Sequence, residues 1–165
     1  MSQSGLTDRS REPAWAAWYR AHLRIMVTVP GITSAQRFTT ASPGHPPSLA
    51  MYTVASAAVF DDPYYGSVHG MGEWLPFIDT RHYHRNLFGG LDAAPDVPTD
   101  RVLIVADAER PAEVPGVVLV WLSAAGLDRS TPYRGIAVVD RATADGRARN
   151  DIGIYRPDGR RVTLP

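Results

Sequence analysis

"WYRAHLRIMVTVPGITSAQRF" (residues 18–38) holds the change of backbone on which the fold depends. Ahead of Pro30-Gly31 the large side chains Trp15, Trp18, Tyr19, His22 and Met26 recur at spacings of three and four, the period of one helical face. Arg11, Arg20 and Arg24 fall away from that stripe. The spacing predicts a helix beginning at Ser10 as N-cap, with Glu12 and Pro13 in its first turn. Proline biases Val29 to an extended backbone and Gly31 permits the turn, so the helix must end there. The segment that follows, 32–40, has the residue types and alternation of a strand.

Outward from this stretch, "LAMYTVAS" (49–56) reads as a second strand, joined to the first by the turn-forming "ASPGHPPS" as a hairpin. Residues 57–74 allow only a short helix or turn, because Pro63 and three glycines interrupt them. "TRHYHRNLF" (80–88) is expected as a strand. Residues 92–100 are a connector by composition and divide the chain into 10–91 and 101–165; residues 1–9 are expected as a frayed arm. In the second half, 101–109, 116–124 and 134–142 are apolar and β-branched, as strands covered on both faces tend to be, and a last pair of strands flanks "PDG". "VPG" occurs at 29–31 and 114–116, each time ahead of a strand. One compact domain built from two related halves, the second mostly β, is the expectation for 165 residues.

Composition narrows the chemistry. The 17 basic side chains are all arginine and balance 17 acidic ones, so there is no lysine Schiff base and no basic excess of the kind that binds nucleic acid. Cysteine is absent, which removes thiolate nucleophiles, thiolate metal sites and disulfides. The N-terminus lacks the apolar core of a signal peptide, and the longest apolar run, Val114–Leu127, is too short for the ~20 residues that span a bilayer. A cytoplasmic protein with no membrane partner is expected. No phosphate-binding loop, G-x-S-x-G or H-E-x-x-H motif is present.

With "WYRAHL", "VPGITSAQRF", "PSLAMYTVAS" and "DDPYYGS" in place, the chain resembles the dimeric α/β-barrel superfamily of ferredoxin-like units, in its EthD-like and uncharacterised bacterial branch. Trp18, Tyr19, His22, Val29, Pro30, Gly31 and Trp74 carry the resemblance; the acidic residue usual just ahead of the histidine is Ala21 here. The resemblance implies an α+β barrel formed when two ferredoxin-like sheets face each other, within one chain or between the subunits of a homodimer. Proteins of that fold include lactone isomerases, polyketide cyclases, cofactor-free oxygenases and haem proteins, so fold leaves the chemistry open.

His22 on the tryptophan-rich stripe either moves a proton or packs as a satisfied imidazole. With Tyr19 to orient a substrate and His69 as partner, it forms the candidate catalytic set of an acid–base lyase, isomerase, cyclase or cofactor-free oxygenase acting on an aromatic or polyketide-like small molecule. Trp18, Arg37, Tyr52 and Trp74 are the candidate substrate-binding residues, each of them equally a core or surface residue. His82 and His84, two apart, would share a strand face and are weak metal candidates beside the reading as surface histidines. No cofactor is expected. The alternatives are a non-catalytic binding or assembly module, and a haem or metal protein using His69 or His84.

Overall fold

The apolar, β-branched segments of both halves have too few helices to cover two sheets, and they meet this shortage by closing on themselves. The computed structural model describes residues 1–164. Its elements are β1 (Ser2–Ser4), α1 (Glu12–Met26), β2 (Ile32–Thr39), β3 (Ser48–Val54), α2 (Pro63–Val68), β4 (His84–Gly89), β5 (Arg101–Ala108), β6 (Val120–Leu127), β7 (Tyr133–Asp140), α3 (Arg141–Ala144), β8 (Ile152–Pro157) and β9 (Val162–Thr163). Strands follow the order β3-β1-β4-β6-β7-β5-β8-β2, and β2 pairs back onto β3, so eight antiparallel strands form a closed barrel within one chain. The short β9 adds to β2. Among the described residues no helix is long and apolar enough to cross a membrane.

Within the first half the strand order is β4-β1-β3-β2, and within the second it is β8-β5-β7-β6. The two orders are the same when strands are counted from the start of each half. The last strand of each half pairs with the second strand of the other, β4 with β6 and β8 with β2.

Inside the barrel, Phe38, Leu49, Met51, Leu103, Val105, Leu122, Ile136 and Tyr155 pack as one cluster. An eight-strand barrel is just wide enough for such side chains to fill it. One end is closed by a polar knot: the fully buried Arg134 donates to both carboxylate oxygens of Asp107 at 2.7 Å each and to Gln3 Oε1 at 2.7 Å, tying β7 to β5 and β1. The outer face of the first half is covered by α1, whose Trp15, Tyr19, Leu23 and Met26 bury against Ala35, Ala50 and Ile32. The outer face of the second half carries the loop between β5 and β6 instead of a helix, with Val114, Val117 and Leu119 packed on Val102, Ile104 and Ile152.

Several sequence expectations change place. Residues 1–9 are not a frayed arm: Ser2–Ser4 is a strand held between β3 and β4, and Ser4 is fully buried. A three-residue polar segment has no apolar alternation to read, and its strand conformation comes from two neighbours that need a partner. The first helical turn, a 3₁₀ turn over Arg9–Arg11, is capped by Asp8, which accepts from the Ser10 amide, and not by Ser10. Residues 80–82 form a 3₁₀ turn because the Asp79 carboxylate accepts from the Arg81 amide and guanidinium, so the strand begins only at His84. The strand expected at 116–124 starts at Val120, since Gly116 takes a left-handed φ of +72° in a Val114–Val117 turn. Gly31 does what the sequence predicts: its φ is +87°, and a Cβ there would stand 2.6 Å from Val59.

Candidate functional site

The side chains that β3 and β4 point outward meet the inner faces of α1 and α2. Antiparallel pairing sets Ala35 opposite Tyr52 and Arg37 opposite Ala50, so Tyr52 and Arg37 share the face that α1 covers. At the start of β4 Arg85 lines the helical-layer cavity together with Tyr83, the residue just before the strand, while His84 lines a second recess that also receives His82 from the preceding 3₁₀ turn, with Gln3, His45, Asp107 and Tyr155. Between sheet and helices lies a cavity of about 130 Å³ lined by Tyr19, His22, Tyr52, Tyr65, His69, Tyr83 and Arg85. It runs past Met1, where β1 leaves the ladder while β3 continues to Val54 and β4 to Gly89, and reaches Met51, Leu122 and Ile136 of the barrel interior. The titratable groups therefore sit outside the barrel wall, beneath the helices, and not among its inward-facing side chains.

His22 lies on α1, half-buried, its ring stacked on Trp18 at 4.8 Å and edge-on to Tyr19 at 6.0 Å. Burial, reinforced by the nearby His69, holds its pKa down at about 4. It is neutral at physiological pH. His69 stands at the exposed mouth, where it ends α2, stacked on the Tyr65 ring at 4.7 Å. Its Nδ1 lies 3.0 Å from the Tyr65 carbonyl oxygen. A carbonyl can only accept, so Nδ1 is the donor in this contact and Nε2 is the ring nitrogen that it leaves free.

The phenols have the opposite bias. Burial raises the pKa of Tyr52 well above the ordinary tyrosine value, and the adjacent Tyr19 hydroxyl adds to it. Tyr19 is raised by burial against the opposing pull of Arg37, and Tyr65 by burial against that of Arg85. These hydroxyls stay protonated across the physiological range, on side chains that line the cavity. The neutral His22 imidazole beside protonated phenols forms an acid–base set with separated roles.

The structure thus brings Tyr19, His22, Tyr52 and His69 together around one cavity. It takes the other sequence candidates elsewhere. Trp18 backs His22 from behind, and Trp74 stands a further 6.5 Å away, packed on Phe77 with its indole N–H buried and unpartnered. Arg37, expected at the substrate, is fully buried beneath α1, where it donates to Glu12 at 2.7 Å, Asp158 at 2.6 Å and Ser48 at 3.0 Å and lies over the rings of Trp15 and Tyr19. Its carboxylate partners come from residues 25 and 121 positions away, which no local pattern announces. His82 and His84 do not share a strand face, since His82 ends the 3₁₀ turn. Among the described residues no group of three or more His, Asp or Glu side chains is placed to hold a metal ion. Tyr83 and Arg85 were legible only as the alternate face of the strand whose histidines drew the attention.

His22 also makes the stability pH-dependent. Its folded pKa of about 4 lies below the unfolded value of 6.5, so between these limits the unfolded chain binds more protons and stability rises with pH. Acidification from pH 7 to pH 4.5 is expected to lower the free energy of unfolding, and His22→Gln to remove part of that slope. Urea titrations of both proteins across this range check it; identical slopes would show that His22 titrates alike in both states.

No family model, no curated protein and no solved structure matches this chain.

Proposed function

We propose that the chain is a small cytoplasmic enzyme that performs cofactor-free acid–base chemistry on an aromatic or polyketide-like molecule, as an isomerase, lyase, cyclase or oxygenase of that type. The observation that carries the proposal is the convergence of two imidazoles and a set of protonated phenols on one aromatic-lined cavity. His69 Nε2, at the mouth, accepts a proton from an acidified C–H or O–H of the substrate. Tyr52 and Tyr19 donate hydrogen bonds to the oxygen on which negative charge develops, and a buried donor is worth most at such a position. His22, too weak a base to hold a proton at neutral pH, receives one only when an anion forms beside it. That places it as a relay for the returning proton.

The same proposal includes the finer fold, a tandem of two ferredoxin-like units of the dimeric α/β-barrel kind. It is supported by the repeated strand order of the halves and by their reciprocal pairing. A homodimer, implied by the resemblance, would join outer faces, since the closed barrel needs no second chain to complete it.

The test is incubation of the wild-type protein in D₂O with a panel of enolisable ketones, lactones and phenols bearing one ring, read by mass spectrometry. Deuterium incorporation or product formation above the buffer rate is expected for at least one class. Saturable binding with neither exchange nor product throughout the panel would overturn the enzyme reading in favour of a binding module, the reading that the low pKa of His22 favours.

A further inference from the structure

Arg85 stands apart from the other arginines of this chain. The backbone of β4 is pinned there, with the Arg85 amide donating to Asp128 Oδ2 at 2.7 Å and its carbonyl accepting from the Asp128 amide at 2.8 Å. The guanidinium is not pinned. Among the described residues two arginines, Arg85 and Arg147, are not exposed and yet have no carboxylate within ion-pair distance, and Arg147 is held instead by the carbonyl oxygens of Thr143 and Pro115. The fully buried Arg37 is paired with Glu12 and Asp158, and the fully buried Arg134 with Asp107. A half-buried cation without a counter-ion costs desolvation energy that its surroundings do not return, and the polar group it approaches, the Tyr65 hydroxyl, is neutral.

The cavity explains the vacancy. Arg85 is its one lining cation, and its one lining carboxylate, Asp92, is exposed at the rim. Tyr65, Tyr83, Tyr52 and Tyr19 line the same cavity, with the Tyr65 hydroxyl the group that Arg85 approaches. The volume of about 130 Å³ sets the scale, because an apolar cavity of about 150 Å³ accommodates benzene. A single ring therefore matches the space beneath the helices.

We propose that the ligand of this cavity is a single-ring aromatic carboxylate whose carboxylate is held by the Arg85 guanidinium, with the ring among the tyrosines. The inference rests on the cavity being a small-molecule site, as proposed above. It adds the charge and size of what the site takes. The planar guanidinium fork matches a carboxylate in two parallel hydrogen bonds, a geometry that a neutral amide reproduces with only one acceptor.

Isothermal titration of benzoate and 4-hydroxybenzoate against benzamide tests it, on the wild type, Arg85→Gln and Arg85→Lys. The wild type is expected to bind the carboxylates about 10- to 100-fold more tightly than the amide, the range of one charge-assisted contact. In Arg85→Gln the two should come within about threefold of each other while the amide affinity stays unchanged, and Arg85→Lys should keep part of the preference. Equal affinities in the wild type, no binding of either carboxylate, or a preference that survives Arg85→Gln would overturn the proposal. Neutral ligands that bind and exchange deuterium would defeat this inference and leave the acid–base reading standing. Carboxylate selectivity without exchange for any ligand would do the reverse.

Discussion

A His69→Gln variant is expected to lose about 10²- to 10⁴-fold of the proton-transfer rate, the span that one positioned acid–base side chain contributes. The expectation follows from how the ring is held. Nδ1 is committed to the Tyr65 carbonyl at 3.0 Å, and the stack on Tyr65 at 4.7 Å fixes the plane, so Nε2 is presented with one orientation. Glutamine preserves the bulk and the hydrogen bond to Tyr65 but supplies no group that takes up and releases a proton near neutrality. Deuterium-exchange kinetics followed by NMR should show the loss in kcat with a small change in KM. His69 is exposed, so folding should be unaffected, and coincident thermal transitions of variant and wild type would confirm it. A His69→Gln protein that exchanges at the wild-type rate would move the base to His22, whose own replacement would then have to show the loss.

Arg37→Ala is expected to cost about 3–5 kcal/mol of folding free energy, the usual result of breaking a buried ion pair by removing one partner. The guanidinium has no exposed surface, and three elements depend on it: α1 through Glu12, β3 through Ser48, and the turn between β8 and β9 through Asp158. Its removal also takes the cation from the faces of Trp15 and Tyr19 and leaves a void beneath α1. At ~2–4 °C per kcal/mol for a chain of this length, the melting temperature should fall by roughly 6–20 °C. Calorimetric melting checks it. Arg37→Ala melting within a degree or two of the wild type would mean that the cluster contributes nothing net. Because Tyr19 lines the cavity, weakened ligand binding should accompany the loss, but as a consequence of displaced packing and not of a lost substrate contact.

Local chemistry decided a good part of this molecule. The helix of 12–26 was legible because Trp15, Trp18, Tyr19, His22 and Met26 recur at helical spacing, of which Trp15, Tyr19 and Met26 are buried, and its end was legible from Pro30-Gly31, where Gly31 takes a left-handed backbone angle. The hairpin of 32–54 and the strand of 101–108 declare themselves by alternation and by β-branched runs. Tyr19, His22, Tyr52 and His69 could be nominated from residue type and position, and all four line one cavity.

What only tertiary structure decided has a common physical cause, which is that its determinants lie far apart in the chain. Ser2–Ser4 is a strand because β3 and β4 flank it, not because serine and glutamine favour one. Arg37 is a structural residue because Glu12 and Asp158 reach it, 25 and 121 positions away. Closure within one chain depends on β8 meeting β2 and β4 meeting β6, pairings between halves that no periodicity encodes. Alternation along β4 can be read from sequence, but which alternate set meets the helices and which meets the second recess is decided by the neighbouring strands. That choice left His84 at the far recess, beside His82 of the preceding turn, and turned Arg85 toward the cavity.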